Sequence, residues 1–313
     1  MNLYAYILRR ILYVIPVLLG VCFIIFIIFN VVAPDPAFTL LGRHATAEQI
    51  RQLHHELGMD LPFWQQYINT VKTAFTFDFG YSWSSKQQIS EMIKVGAGPS
   101  LALTIPLFFI TFIVSISIAL LVAFYRGKFI DKFILLTSIA TMSISSLAFI
   151  LFGQYFFAYK LGWFEISGYE AGFPNFIPYI ILPVLIYLTF SWGPDTRFYR
   201  SIILDEVYQD YVRTARAKGV SELKIMFKHV LKNAMIPILT YVIIQIPFLF
   251  LGLLLAESFF GIPGLGGITI KALNTSDFPV IKAMTILSAF GFIIFGVITD
   301  VLYTIVDPRM KLK

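Results

Sequence analysis

Cysteine and charge are both scarce in this sequence. The 313 residues include one cysteine, Cys22, so an internal disulfide framework is excluded. Charged residues make up only 13% of the chain, whereas hydrophobic residues make up 58% and aromatic residues 17%. Soluble domains typically carry about 25% charged residues. The composition therefore predicts a membrane protein.

Motifs for nucleotide hydrolysis, metal binding and intramembrane proteolysis are also lacking. The glycine-rich stretch at 257–267 is not followed by Lys-Ser or Lys-Thr, so it is not a phosphate-binding P-loop. Among the predicted spans only Asp300 is acidic, which argues against an aspartate protease. We therefore expect no catalytic residue, and no metal or cofactor bound by this chain. None of the histidines has the spacing of metal ligands; they are His44, His54, His55 and His229.

Six apolar stretches are long enough to cross a bilayer, which requires about 20 residues. They predict an all-α membrane protein with six transmembrane helices, and we expect the first to be retained because it lacks a cleavage site. The predicted spans are Ile11–Val32, Leu101–Tyr125, Phe133–Tyr159, Phe176–Gly193, Ile236–Ala256 and Ala283–Val306.

The distribution of lysine and arginine predicts the orientation of these spans. With a cytoplasmic N-terminus, sixteen of the 24 basic residues fall on the inner side and eight on the outer side. Both termini are then cytoplasmic. The net charge of +6 reflects membrane topology, so we expect no nucleic-acid partner.

Residues 33–99 form an extracytoplasmic segment with helices of its own. A capping box at Thr46–Gln49 begins one helix, which is expected to stop at Gly58, and Pro62 lies in the first turn of the next. A third helix is expected to begin near Ser85 and to end near Gly96 and Gly98. The predicted organisation is therefore a first span with this helical region, residues 1–99, and a five-helix core, residues 100–313, with a cytoplasmic loop at 195–235.

One polar segment, residues 205–235, interrupts the hydrophobic sequence. Apolar residues recur at helical spacing before Gly219 and again after it, and Ser221 is positioned to cap the second helix. Gly219 lies between them, where a turn would require a backbone conformation that disfavours side chains. The pattern predicts two helices joined by a glycine turn, which an ordinary amphipathic surface hairpin would also show.

The sequence of this segment resembles the cytoplasmic loop of bacterial ABC-importer permeases of the dipeptide/oligopeptide (and nickel) family. The similarity lies in Asp210-Tyr211-Val212-Arg213-Thr214-Ala215-Arg216-Ala217-Lys218-Gly219, followed by Lys232-Asn233-Ala234-Met235-Ile236-Pro237. Further similarities extend over the whole chain, at Ala33–Ala37, Asp78–Gly80, Leu161–Phe164, Glu257–Gly267 and Asp307–Arg309.

The resemblance implies a type I ABC-importer permease fold in the bacterial cytoplasmic (inner) membrane. It implies a second homologous permease, two ABC ATPase subunits that bind ATP and Mg, an extracytoplasmic solute-binding protein and membrane lipid as partners. The stretch 257–267 would be an outer loop near the gate. The segment that would seat on the ATPase includes Asp210, Tyr211, Ala215, Arg216, Lys218, Gly219 and Leu223.

Hydroxyl and amide side chains within the spans are candidates for an uncharged translocation path. They also suit helix–helix hydrogen bonding, and the sequence leaves both roles open. They are Thr104, Thr111, Ser115, Thr137, Thr141, Ser145 and Gln245.

The function expected from these features is half of the translocation path of an ATP-driven di- or oligopeptide importer. The same architecture could import nickel or a metal chelate. An ion-driven secondary carrier is a rival of another class, but it would usually show ionisable groups within the membrane or inverted repeats. A membrane scaffold or sensor without transport is the third alternative.

Overall fold

The computed structural model describes residues 3–42 and 45–306, and every regular element in these ranges is helical. His44 and the basic residues of the C-terminal tail, which entered the predictions above, lie outside the described residues. Short π-helical segments extend or interrupt the helices at Ile28–Val32, Gln154–Lys160 and Ile225–Val230. The helices are α1 (Leu3–Ile27), α2 (Pro36–Leu41), α3 (Ala47–Glu56), α4 (Phe63–Thr76), α5 (Ile89–Phe124), α6 (Phe129–Ser143), α7 (Ser146–Gly153), α8 (Ile177–Val207), α9 (Asp210–Ala217), α10 (Glu222–Lys224), α11 (Leu231–Leu249), α12 (Leu254–Phe260), α13 (Leu265–Asn274) and α14 (Phe278–Val306).

Five helical stretches are long and apolar enough to cross a membrane, and a bent pair supplies a sixth. The five stretches are α1 with its π segment, α5, α8, the helix from Glu222 to Leu249, and α14. The bent pair is α6 and the helix Ser146–Lys160, which meet at 90°. The predicted span Phe133–Tyr159 is therefore a sharply bent one. Ile144 has an extended backbone, and the Ser143 hydroxyl bonds the Ile139 carbonyl just before it, a contact that favours bending.

Helix α5 is longer than the sequence predicts. The helix expected to end near Gly96 and Gly98 instead continues through the bilayer as one element of 36 residues. A Cβ atom on Gly96 would lie 2.7 Å from Ile268 Cδ1, so this glycine allows close packing against α13 and does not end a helix. The expected boundary between residues 99 and 100 falls inside α5.

Two more span boundaries differ from the predictions. Helix α8 does not end at Gly193 but continues to Val207, well beyond the apolar run. The fifth span ends at Leu249 and does not reach Ala256, because the chain turns at Gly252, which has a φ of 71°. Tertiary packing therefore sets these boundaries more than hydrophobicity does.

The extracytoplasmic helices begin largely where the sequence indicates. The capping box of α3 is confirmed, since the Thr46 hydroxyl accepts from the Gln49 amide while the Gln49 side chain accepts from the Thr46 amide. Gly58 has a φ of 67° after α3, and Pro62 is the N-cap of α4 and not a residue of its first turn. Tyr67 of α4 donates to the carbonyl of Leu19 in α1, which fixes this region to the first span.

A hydrogen-bonded clasp joins the loop before α5 to the beginning of α14. We call Ser82, Trp83, Ser84 and Asp277 the outer clasp. The Asp277 carboxylate accepts from the hydroxyls of Ser82 at 2.6 Å and Ser84 at 2.9 Å, and from the amides of Trp83 and Ser84, both at 3.1 Å. Burial alone would raise the pKa of Asp277, but these hydrogen bonds outweigh it and lower the pKa below its ordinary value. The ionised carboxylate therefore holds together two segments far apart in sequence.

Helix α8 occupies the centre of the membrane bundle, packed against α5, α6, α7 and α11. Asp131 in the first turn of α6 accepts two bonds from Arg200 of α8, at 3.0 and 2.9 Å, and one from the Gly127 amide at 2.8 Å. A Cβ atom on Gly193 would lie 3.2 Å from the carbonyl oxygen of Ser138, so α6 and α8 also approach closely near their middles. Helix α8 is therefore held along most of its length and leads directly into the polar segment.

Candidate coupling segment and translocation cavity

The polar segment 205–235, here called the coupling segment, folds as the predicted two helices with a glycine turn. After α9, the Gly219 amide donates to the Arg216 carbonyl at 2.9 Å and the Val220 amide to the Ala215 carbonyl at 3.2 Å. These two bonds form a Schellman motif, in which the residue after the helix adopts the left-handed conformation. Gly219 has a φ of 76°, which side chains disfavour, so the predicted requirement for glycine is confirmed.

An ion pair spans this turn. Arg216 donates through Nε to Glu222 Oε1 at 2.7 Å and through Nη2 to Glu222 Oε2 at 3.1 Å. A bidentate contact fixes direction as well as distance, so it sets the angle between α9 and the helix that begins at Glu222. Arg216, expected to contact a partner, is thus engaged within its own chain, although its side chain is 38% exposed.

The apolar face of α9 packs inside the chain. Val212 is fully buried and Ala215 nearly so, and both contact a buried cluster that includes Tyr199 of α8 and Val242 of α11. Tyr211 is partly buried, and its hydroxyl bonds Glu206. This face was expected to seat on an ATPase, but it instead attaches α9 to the membrane helices.

The exposed face of the coupling segment carries both charge and apolar side chains. Asp210, the first residue of α9, and Lys218, its C-cap, are exposed. Leu223 and Phe227 are 61% and 59% exposed, one helical turn apart. The buried apolar face of the same helix is formed by Met226 and Val230 instead. Leu223 and Phe227 are therefore candidates for contact with a partner.

A cavity of about 400 Å³ lies between α5, α8 and α11, and we call it the central cavity. Three predicted path residues line it: Thr104, Thr111 and Gln245. The Thr104 hydroxyl bonds the Leu249 carbonyl at 2.9 Å. Thr111 is 7% exposed, and its Oγ1 has no hydrogen-bond partner within the described ranges.

Four other predicted path residues do not line the central cavity. Ser115 is fully buried and donates to the Trp192 carbonyl at 3.3 Å, which is a contact between α5 and α8. Thr137 and Thr141 bond carbonyls of their own helix, and Ser145 is exposed at the bend after α6. The structure thus assigns helix packing to Ser115 and local bonding to the two threonines.

Sequence reasoning missed Asp195, which also lines the central cavity. Its position was placed just outside the fourth span, whereas it lies in the middle of α8. The statement that Asp300 is the only acidic residue within a span is therefore wrong. A basic residue, Lys282 of α14, also lies within a span. The spacing of Ser191, Asp195 and Tyr199, four residues apart on one helical face, is the signal that was available.

The hydroxyl of Tyr241 donates to Asp195 at 3.1 Å, and the Gln245 side chain lines the cavity together with this carboxylate. Phe108, Phe112 and Phe248 supply apolar walls. The cavity therefore combines one carboxylate and several neutral polar groups with aromatic surface, an arrangement suited to a small amphipathic solute.

The glycine-rich outer loop is built around the fully buried carboxylate of Glu257. Glu257 accepts from the Ser100 hydroxyl at 2.8 Å, the Leu253 amide at 2.9 Å and the Gly267 amide at 3.0 Å. A Cβ atom on Gly264 would lie 2.3 Å from Glu257 Oε2, which explains a glycine there. A cleft of about 840 Å³ lies between this loop and the beginning of α5.

The histidines expected not to bind metal make other contacts. His54 lies 2.9 Å from both carboxylate oxygens of Asp35, and His55 Nδ1 lies 2.7 Å from Asp60. Within residues 3–42 and 45–306, no three histidine, cysteine, aspartate or glutamate side chains are grouped to hold a metal ion.

Comparison with known proteins identifies the family. Residues 115–312 match the model described as "Binding-protein-dependent transport system inner membrane component", and residues 3–107 match the model of its N-terminal region. Three similar relatives are the glutathione transport system permease proteins GsiC of Shigella flexneri serotype 5b, Salmonella typhimurium and Escherichia coli K12, which are 31%, 32% and 30% identical over 308 residues. Each alignment covers 98% of this chain and 99% of the relative. This chain belongs to the family of binding-protein-dependent transport system inner membrane components, the multi-pass permease subunits of bacterial ABC importers of the peptide and nickel group.

Proposed function

We propose that this chain forms one half of the translocation path of an ATP-driven importer of di- or oligopeptides. It pairs with a second homologous permease, and its coupling segment docks on one of two ATPase subunits, which bind ATP and Mg. An extracytoplasmic binding protein delivers the solute from the side opposite the coupling segment. The name of the relatives supports this solute class, because glutathione is itself a small peptide-like molecule.

One observation carries the proposal. The buried cluster that holds Val212 and Ala215 of α9 includes Tyr199 and Val242, which are also walls of the central cavity. Close-packed side chains transmit displacement with little compression. A movement of α9 is therefore passed to the cavity walls through α8 and α11.

The mechanism follows from this connection. When ATP binding draws the two ATPase subunits together, the docked coupling segments move with them. The bidentate pair of Arg216 and Glu222 keeps α9 at a fixed angle to the helix that follows, so force applied to the exposed face tilts the membrane helices. The path then opens outward, and ATP hydrolysis returns it to the inward-facing arrangement.

Substitution of Gly219 by proline tests the coupling role. Proline cannot adopt the φ of 76° seen at this position, and it removes the amide that bonds Arg216. We expect normal membrane insertion, but ATP hydrolysis that no longer drives uptake of a labelled tripeptide in proteoliposomes containing all subunits. Uptake per ATP hydrolysed is the measured quantity.

Gly58→Pro is the matched control. Gly58 has a φ of 67° after α3 and its amide donates to the His55 carbonyl at 3.1 Å, so proline there makes the same backbone change outside the coupling segment. Normal coupled uptake by Gly219→Pro, or equal uncoupling by both variants, would contradict the role of the turn. Uptake by the wild type without ATP would indicate an ion-driven carrier instead. Uptake of nickel but not peptide would correct the solute.

A further inference from the structure

Asp195 is an acidic side chain without a cationic partner in the described part of the chain. It accepts a hydrogen bond from the neutral hydroxyl of Tyr241 at 3.1 Å, the neutral side chain of Gln245 lines the same cavity, and no ion pair to it is formed there. A charge inside a membrane protein is costly unless something compensates it, and such residues usually face a path or a ligand. This carboxylate is therefore available to a cation that comes from outside the chain.

The surroundings of Asp195 indicate what kind of cation fits. The central cavity, at about 400 Å³, is large enough for a short peptide, and a bare ion would leave most of it empty. One carboxylate with a tyrosine and a glutamine does not provide the several oxygen ligands that a divalent metal needs. The aromatic walls formed by Phe108 and Phe112 favour an organic cation, because ring faces attract ammonium groups.

The hydrogen bond from the neutral Tyr241 hydroxyl to Asp195 is also compatible with the release of a transported solute. The hydroxyl of Tyr241 occupies part of the acceptor capacity of Asp195, so an arriving cation shares the carboxylate and does not take all of it. A path must bind a solute strongly enough to admit it and weakly enough to release it.

We propose that Asp195 binds the primary ammonium group of a peptide as it passes through the central cavity. This inference rests on the proposed function, since it assumes peptide import. It adds that the permease itself distinguishes peptides by charge, in addition to any selection by the binding protein. The ammonium group is that of the peptide N-terminus or of a lysine side chain.

The test compares trialanine with N-acetyl-trialanine in proteoliposomes containing the complete importer. For each protein variant, the ratio of the two uptake rates is measured with the binding protein saturated by each peptide. Since selection by the binding protein is the same for wild type and variant, a change in this ratio reports the permease alone. A third peptide, N-acetyl-Ala-Lys-Ala, distinguishes a side-chain ammonium from an N-terminal one.

We expect Asp195→Asn to lower the preference for the free amine by about tenfold, the effect of losing one charge-assisted bond. Asp195→Glu should retain most of the preference, and Glu48→Gln, which removes an exposed carboxylate from α3, should retain all of it. An unchanged ratio in Asp195→Asn would overturn the inference while leaving peptide import intact. Absence of any peptide uptake by the wild type would instead refute the proposed function.

A second variant keeps the test informative if Asp195→Asn does not assemble. Tyr241→Phe removes a neutral donor and leaves the charge, so more of the carboxylate is available to the peptide. The preference for trialanine over its acetylated form should stay the same or rise. A fall in that preference would contradict the assignment.

Discussion

Removing the charge of Asp277 should open the outer clasp locally. In Asp277→Asn the side chain retains one acceptor oxygen. Oδ2 of Asp277 accepts three of the four bonds, so the asparagine oxygen is expected to take its position. The asparagine NH2 group then replaces Oδ1, and the backbone amide of Trp83 loses its acceptor. Leaving such a donor unpaired costs about 1–3 kcal/mol, and each remaining bond loses about 1 kcal/mol of charge assistance. Because Trp83 and Ser84 are partly accessible to water, we expect a net loss of about 3 kcal/mol.

Hydrogen exchange at the amides of Trp83 and Ser84 measures this loss directly. A change of about 3 kcal/mol in the local opening free energy corresponds to roughly a hundredfold faster exchange. Asp78→Asn is the matched control, because Asp78 is an exposed carboxylate in the same loop. Equal exchange rates in Asp277→Asn and wild type would refute the assignment of the clasp to this carboxylate.

The pH dependence provides an independent check. The pKa of Asp277 in the folded protein lies below its ordinary value of 3.8. Its ionised form therefore stabilises the clasp at all pH values above 3.8, and this stability is lost as the pH falls through the folded pKa. After correction for the intrinsic rate, protection of Trp83 should be constant from pH 7 to pH 5 and should fall in more acidic solution. In Asp277→Asn, it should not depend on pH in this range.

Two further substitutions test packing on the outer side and within the bundle. Glu257→Ala leaves three donors of the outer loop without their acceptor, which should lower the free energy of unfolding by about 3 kcal/mol or more. The midpoint temperature of thermal unfolding in detergent should fall clearly in Glu257→Ala. It should change little in Glu91→Ala, because Glu91 is an exposed residue of the same cleft. Gly153→Ala places a Cβ atom 2.3 Å from Ile186 Cδ1 and should destabilise the protein by about 1–3 kcal/mol. Gly20→Ala should leave stability unchanged, because the new Cβ atom meets nothing within 4 Å. A similar loss of stability in both variants would argue against overpacking at Gly153.

The sequence predicts those features that depend on local patterns. The capping box at Thr46, the helices around Gly219 and the need for glycine there all follow from side chains within a few residues of one another. Five of the six spans follow from apolar length alone, although the ends of α5, α8 and α11 do not. The roles of Gly96 and Gly193 depend on contacts with Ile268 and Ser138, which no local pattern contains.

The candidate site was predictable only in part, for the same reason. Thr104, Thr111 and Gln245 were identified as polar groups within spans, but their convergence on one cavity depends on how three helices cross. Asp195 was missed because hydropathy placed the end of the span two residues before it. Arg216 and Glu222 are near in sequence, yet their pairing becomes evident only when the turn at Gly219 brings them together.

The continuous helical stretch from Glu222 to Leu249, which includes the π-helical segment Ile225–Val230, moves by different amounts along its length when it tilts. Its 28 residues extend about 42 Å, so a rigid rotation of roughly 5° about its outer end moves Glu222 by roughly 4 Å. The same rotation moves Tyr241, about 12 Å from that end, by only about 1 Å. A displacement of that size is sufficient to break the 3.1 Å hydrogen bond from Tyr241 to Asp195. In the proposed mechanism, a large displacement at the cytoplasmic surface would thus become a small one at Asp195 and would change how much of this carboxylate is available to the solute.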